Sequence, residues 1–231
     1  MEQDPSPRTP NTISMKHIYR LLLIALLALT ACGKDDATKD YGFPKVYIPQ
    51  ATVTGLDNSY PIPLGPFYRN STYSCAYDKA SGKLAIALGV IRSGYLSKQQ
   101  AFTVDLGECK AETARKLDEY KANGTPASEL PLSVCTIPGK ISVPEGSNGG
   151  TCTVDVDLKA LAANRASIYE GGVYKLLVLG LEISNLSGPS EYSLADNYTS
   201  VVIVLDLGDA EWDNVAPDKP EAEVRRMFPI E

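Results

Sequence analysis

Histidine is almost absent from this 231-residue chain: there is one, His17, and it sits in the apolar N-terminal segment. Beyond that segment no imidazole is available, which excludes Ser-His triads, Cys-His dyads and histidine-bearing metal sites. Tryptophan is as scarce, with Trp212 alone. No C-x-x-C pair occurs, so neither a zinc knuckle nor a dithiol redox motif is indicated. No G-x-S-x-G nucleophile turn occurs either. The glycine-rich stretch Gly146-Ser147-Asn148-Gly149-Gly150 joins two strand patterns and opens no helix, so it reads as a hairpin loop and not as a phosphate cradle. Positive charge is in short supply, with 22 Lys and Arg against 28 Asp and Glu. Residues 1–32 hold three basic residues (Arg8, Lys16, Arg20) and two acidic ones (Glu2, Asp4), which leaves 19 basic and 26 acidic, a net charge of −7. No basic stripe interleaves with aromatics, so no nucleic-acid partner is expected. Long apolar runs are missing as well. The run from Leu21 to Ala28 falls short of the roughly 20 residues that span a bilayer.

That short run carries a message of its own. Lys16, His17 and Arg20 precede it, and Leu29-Thr30-Ala31-Cys32 follows. A positive region, an apolar region and small residues in that order form a secretory signal. The cysteine directly after the small residues resembles the lipobox of bacterial lipoproteins. The resemblance implies that Cys32 is acylated, that the chain is cut just before it, and that the lipid holds the protein on a membrane. Met15 is the expected start, and residues 1–14 are an upstream extension with no role in a signal. Residues 1–31 are then extension plus signal peptide, and residues 32–40, polar and rich in Lys and Asp, form an acidic tether.

From residue 41 to 207 the pattern has period two. Val46 and Ile48 alternate with Lys45 and Tyr47; Leu84, Ile86, Leu88 and Val90 share one face; Phe102, Val104 and Leu106 alternate with Thr103 and Asp105; Val154 and Val156 alternate with Asp155 and Asp157. These spacings predict half-buried strands. Val173 to Ile183 and Val201 to Leu207 are apolar on both faces and read as central strands. Two segments read as helix, Ala111 to Lys121 with Ala114, Leu117 and Tyr120 on its apolar face, and Leu158 to Arg165 with Leu158 and Leu161 inward. The fold class is all-β: a β-sandwich of about seven to nine strands with one or two short helical insertions. Residues 208–231 are acidic and proline-punctuated, and form a C-terminal tail or a strap on the sandwich. Cys75, Cys109, Cys135 and Cys152 permit two disulfides in an exported chain, or serve as buried thiols.

The segments also add up to a resemblance. Lys45-Val46-Tyr47-Ile48-Pro49-Gln50-Ala51 opens the domain and Leu88-Gly89-Val90-Ile91-Arg92-Ser93-Gly94 follows. Then come Leu130-Pro131, Lys140-Ile141-Ser142-Val143-Pro144-Glu145-Gly146, Val154-Asp155-Val156-Asp157-Leu158, and Leu181-Glu182-Ile183-Ser184-Asn185 before a final Val-Ile-Val strand. Over residues 41–207 this order resembles the Bacteroidetes surface-lipoprotein domain of unknown function found at the N-terminus of endoglycosidase-like proteins of glycoside hydrolase family 18. The resemblance implies an immunoglobulin-like sandwich in glycan-utilisation or surface systems, and no catalytic residues. The Asp-x-x-Asp-x-Asp-x-Glu motif of the family-18 enzymes is absent, with Asp155 and Asp157 its nearest approach, and no hydrolase module is expected after the sandwich and tail. Lys34-Asp35-Asp36 resembles the acidic tag that exports such lipoproteins to the outer face.

The expectation is therefore a non-enzymatic lipoprotein on the outer membrane, anchored at Cys32 and facing the cell exterior. It binds polysaccharide or oligosaccharide, or assists outer-membrane glycan-uptake proteins, without cofactor or metal. The rival is a structural or protein-interaction module without sugar affinity. Tyrosine is the aromatic surplus, 13 against 4 Phe. An apolar ring with a polar handle suits sugar stacking, which makes Tyr60, Tyr68, Tyr73, Tyr95 and Trp212 the candidate ligand-binding residues; the alternative is that tyrosines simply cover the sandwich. Asp155 and Asp157 share one strand face and lack the further oxygen ligands a calcium ion needs, so they read as a solvated face.

Overall fold

The alternating runs do become strands. A computed structural model describes residues 42–55, 57–63, 74–208 and 226–227. Among them fourteen strands form, eight with four or more residues. In the first sheet the order is β13 (Ser193–Leu194), β1 (Lys45–Tyr47), β4 (Lys83–Arg92), β9 (Gly149–Asp157) and β7 (Cys135–Thr136), with β3 (Cys75–Asp78) also paired to β4. In the second it is β2 (Ser59–Ile62), β14 (Ser200–Leu205), β12 (Leu176–Ser187), β5 (Phe102–Glu108) and β8 (Lys140–Val143), with β6 (Ala127–Glu129) also on β12. β10 (Tyr169–Glu170) and β11 (Val173–Tyr174) form a separate small ribbon. Having β1, β4 and β9 in one layer and β5, β12 and β14 in the other is the immunoglobulin arrangement.

The core lies between the layers. Leu84, Ile86, Leu88, Val154, Val156, Leu179, Leu181, Ile203 and Leu205, the inward residues of the period-two reading, are all fully buried. β4 and β9 are the long antiparallel pair, in register from Lys83↔Asp157 to Ile91↔Gly149. The apolar outer face of β12 and β14 has a cover: helix α1 (Lys110–Ala122) lies on the second sheet, where Val178, Val202 and Val204 pack with Leu117, Tyr120 and Leu176. Burial on both faces explains why these two strands read as continuous apolar runs. Gly180 marks the landing point. Its N–H donates to Thr113 Oγ1 at 2.8 Å, and a Cβ there would meet the Cys109 carbonyl oxygen at 2.5 Å.

Three expectations change. The buried residues of α1 are Thr113 and Lys116, and Ala114 is exposed. Lys116 lays its stem on the sheet and takes its ammonium to Asp57 Oδ2 at 2.8 Å and Glu119 Oε1 at 2.9 Å, so a residue that reads as solvent-facing is inside. The strand after Gly171-Gly172 is broken, because Val173 and Tyr174 belong to the ribbon and β12 starts at Leu176. The Gly146–Gly150 stretch is not a hairpin. β8 pairs with β5 in one sheet and β9 with β4 in the other, so the connection crosses between layers. The second helical segment forms as α2 (Leu158–Ala163) and α3 (Arg165–Ile168), with Leu158 and Leu161 buried. The four cysteines are thiols, with no disulfide among them. The signal, Cys32 and the tether lie outside the described residues. Of the tail beyond Gly208 only Arg226 and Met227 are described, and the Tyr77 hydroxyl donates to Met227 Sδ at 3.8 Å.

Candidate functional site

The sequence-derived candidates separate. Tyr60 is fully buried in β2 and its hydroxyl donates to the Ser74 carbonyl at 3.4 Å. It is a core residue, not a stacking surface, because β2 pairs parallel to β14 (Ile203↔Tyr60) and turns the ring between the layers. Tyr68, Tyr73 and Trp212 lie outside the described residues. Tyr95 is 41% exposed in the turn after β4.

Tyr95 has a neighbour that the sequence reading did not single out. β1 runs antiparallel to the end of β4, with Val46 opposite Arg92 and Tyr47 opposite Ile91. The residues before β1 therefore meet those after β4. Ser93 ties the two together: its Oγ donates to Phe43 O at 2.9 Å and accepts from Lys45 N at 3.1 Å, and its N–H donates to Lys45 O at 2.8 Å. Gly42 and Gly94 have φ of +82° and +78°, and a Cβ on Gly42 would lie 3.2 Å from Gly94 Cα. Only this close backbone approach brings Phe43 and Tyr95 to the same end of the sandwich. Phe43 is 82% exposed. Among the described residues these two are the only large exposed aromatics; the other large exposed apolar side chains, Leu132 and Val173, lie elsewhere. Phe43 stands at the start of the alternating pattern, ahead of the Val46 and Ile48 pair that sets its phase, so only its Gly-Phe-Pro setting in the chain signalled a non-core aromatic.

Beneath this surface the end of the core is closed by polar and aromatic groups. Arg92 continues the inward row of Leu84, Ile86, Leu88 and Val90, and is 2% exposed. Its guanidinium lies 5.3 Å from the centre of the Tyr192 ring, and that ring meets Phe102 edge-on at 5.6 Å. The loops interlock above them: Gln100 N donates to the Tyr192 hydroxyl at 3.2 Å, Arg92 N to Asn148 O at 2.7 Å, and Gly146 N to Gln99 O at 2.7 Å. Beside them an open, mainly apolar groove of ≈ 470 Å³ runs past Phe102, Thr103, Ser142, Pro144 and Ser187.

A second hollow, of ≈ 360 Å³, lies by the edge of the second sheet and is polar, with Asn58, Glu112, Glu182, Asp196, Tyr198 and Cys109 in its walls. Burial pushes the Cys109 thiol up, with Glu182 adding to it, and burial alone pushes Cys135 and Cys152 to about 11. All three are thiols at neutral pH, not thiolate nucleophiles. Asp157 Oδ1 accepts from Ala160 N at 2.9 Å and caps α2, which commits it to structure. No group of three or more metal-ligating side chains gathers among the described residues.

No family model matches the sequence. No curated protein matches it either. Among solved structures the chain is similar to a proposed carbohydrate-binding protein of Bacteroides ovatus, at 13% identity and a TM-score of 0.42 over 71% of this chain and 37% of that one. It is also similar to a multidomain Bacteroides ovatus protein that includes DUF1735, at 16% identity and a TM-score of 0.42 over 70% and 43%. A third is an auxiliary nutrient-binding protein of Bacteroides thetaiotaomicron, at 15% identity and a TM-score of 0.42 over 65% and 44%. The chain spans less than half the length of each of these three proteins.

Proposed function

We propose that this chain is a non-enzymatic lipoprotein, held on the outer membrane through Cys32, whose sandwich contacts glycan through Phe43 and Tyr95. The observation that carries the reading is the shared position of these two exposed aromatics at one end of a sandwich whose other described aromatics are buried or half-buried. An exposed ring offers a flat apolar face to a pyranose ring, a contact worth on the order of 1 kcal/mol beyond the area it buries. Two such rings give weak, millimolar-range affinity, which suits an accessory in glycan uptake. The thiols of Cys109, Cys135 and Cys152 are raised, no histidine follows His17, and the carboxylate of Asp157 is engaged, so binding is the chemistry these residues support. The test is calorimetry against a glycan panel with the wild type and the Phe43→Ala/Tyr95→Ala variant. Binding that the double substitution abolishes is expected; affinity untouched by it removes these residues from the site.

One observation favours the interaction-module reading. Phe43 follows Cys32 by eleven residues, which at about 3.3–3.6 Å per residue keeps the aromatic end within about 40 Å of a lipid at Cys32. That is within reach of a protein in the same membrane. Recovery of a specific outer-membrane protein by the wild type, lost with Phe43→Ala, together with no sugar binding, would replace the glycan reading.

A further inference from the structure

We propose that the aromatic end of the sandwich takes the carboxylate of an acidic sugar, a uronic acid residue, on Arg92; this rests on the glycan reading above and names the class of glycan. The described part of the molecule has two deeply buried cations and treats them differently. Lys116, with 4% of its side chain exposed, has two carboxylates, Asp57 and Glu119, within 2.9 Å. Arg92, 2% exposed, has no carboxylate partner among the described residues: its Nε and Nη1 are buried without a hydrogen-bond partner, and its guanidinium lies 5.3 Å from the centre of the Tyr192 ring. A buried charge without a counter-ion is strongly disfavoured, and a ring face offsets only part of that. The row it continues, Leu84 to Val90, is hydrocarbon, so packing alone asks for a leucine or methionine at this position. The charge fits a site that is completed by an anion from outside.

Position and geometry select the anion. Arg92 adjoins Ser93, whose hydroxyl holds Phe43, and stands three residues before Tyr95. Tyr192, whose ring covers the guanidinium, precedes Ser193, which pairs with Lys45 and donates its N–H to Pro44 O, so the guanidinium lies behind the strand end that carries Phe43. The planar fork of arginine matches a carboxylate with two parallel hydrogen bonds, and a uronic acid carries a carboxylate on the same ring whose apolar face stacks on an aromatic. Tyr192 lies against the guanidinium and must shift to admit the ligand; its hydroxyl is held by the one 3.2 Å hydrogen bond from Gln100 N.

The experiment is calorimetry and thermal melting of the detergent-extracted full chain and its Arg92→Met variant. The probes are galacturonate and glucuronate oligosaccharides and their neutral galactose and glucose counterparts. A charge-assisted pair predicts that the wild type binds an acidic oligosaccharide at least about tenfold tighter than its neutral counterpart. Arg92→Met should lose that preference, binding acidic and neutral oligosaccharides alike. Without ligand it should melt higher than the wild type, because an apolar side chain replaces an unpaired charge. Equal affinity for acidic and neutral sugars overturns the proposal and leaves the glycan reading standing. An acid preference that survives Arg92→Met, or a variant that melts lower than the wild type without ligand, overturns it too, the latter by giving the guanidinium a structural role. Failure of every sugar to bind removes the glycan reading and this inference together.

Discussion

Replacing Gly180 with alanine puts a methyl group where α1 meets β12. A Cβ there lies 2.5 Å from the Cys109 carbonyl oxygen, 2.9 Å from Thr113 N and 3.0 Å from Thr113 Oγ1. The two nearest atoms are backbone, so no side-chain rotation relieves the clash. The first turn of α1 has to lift. Lifting stretches the two hydrogen bonds that seat it, Cys109 N to Gly180 O and Gly180 N to Thr113 Oγ1, each 2.8 Å. Overpacking of this kind costs about 1–3 kcal/mol, and weakening a buried hydrogen bond adds about 1 kcal/mol. For a domain of this size each kcal/mol lowers the Tm by about 2–4 °C, so Gly180→Ala is expected to lose about 2–4 kcal/mol and about 4–16 °C. Urea and thermal denaturation followed by circular dichroism measure it. A variant within about 0.5 kcal/mol of the wild type would show that α1 does not seat on β12 at this glycine.

Other outcomes follow from the same structure. Leu88→Ala, at the centre of the buried β4–β9 pair, is expected to cost about 2–5 kcal/mol in the same denaturation assay. Burial works to raise the Asp57 carboxyl, but Lys116, the Thr54 and Ser59 hydroxyls and Ser59 N–H outweigh it and hold it well below the usual carboxylate range. A lowered folded-state pKa gives stability that is present above the unfolded value of about 3.9 and is lost as pH falls below it; urea midpoints measured from pH 6 down to pH 2 should fall, and Asp57→Asn should flatten that fall. Cys32→Ala is expected to move the protein from the membrane pellet to the soluble fraction, and an unchanged pellet would remove the lipid anchor from the account.

Much of the sandwich was legible because its physics is local. Leu84, Ile86 and Leu88 alternate with small or polar residues, and alternation has one cause, a strand with one face buried. What the sequence could not show was what lies across from a residue. The run Val201 to Leu207 announced burial on both faces but not that α1 supplies the second cover through Leu117 and Tyr120. Lys116 looked exposed because its partner Asp57 is 59 positions away. Tyr60 read as lying in or near a loop or strand end, yet it sits in β2, an edge strand, where the following Pro61 is tolerated. The site was less legible than the core. Phe43 and Tyr95 are 52 positions apart and come together only through the β1–β4 register and Ser93. Arg92 was visible in the resemblance as part of a strand, and its inward phase with Leu84, Ile86 and Leu88 was readable; the missing counter-ion was not.

The claim that the aromatic end of this sandwich is the glycan surface is tested most directly by an NMR titration of the isotope-labelled protein with a glycan found to bind it. The account predicts that shift changes concentrate on Phe43, Ser93, Gly94, Tyr95 and the loop around Asn148. Changes that centre instead on Glu112, Glu182 and Asp196, in the polar hollow by the second sheet, would contradict it.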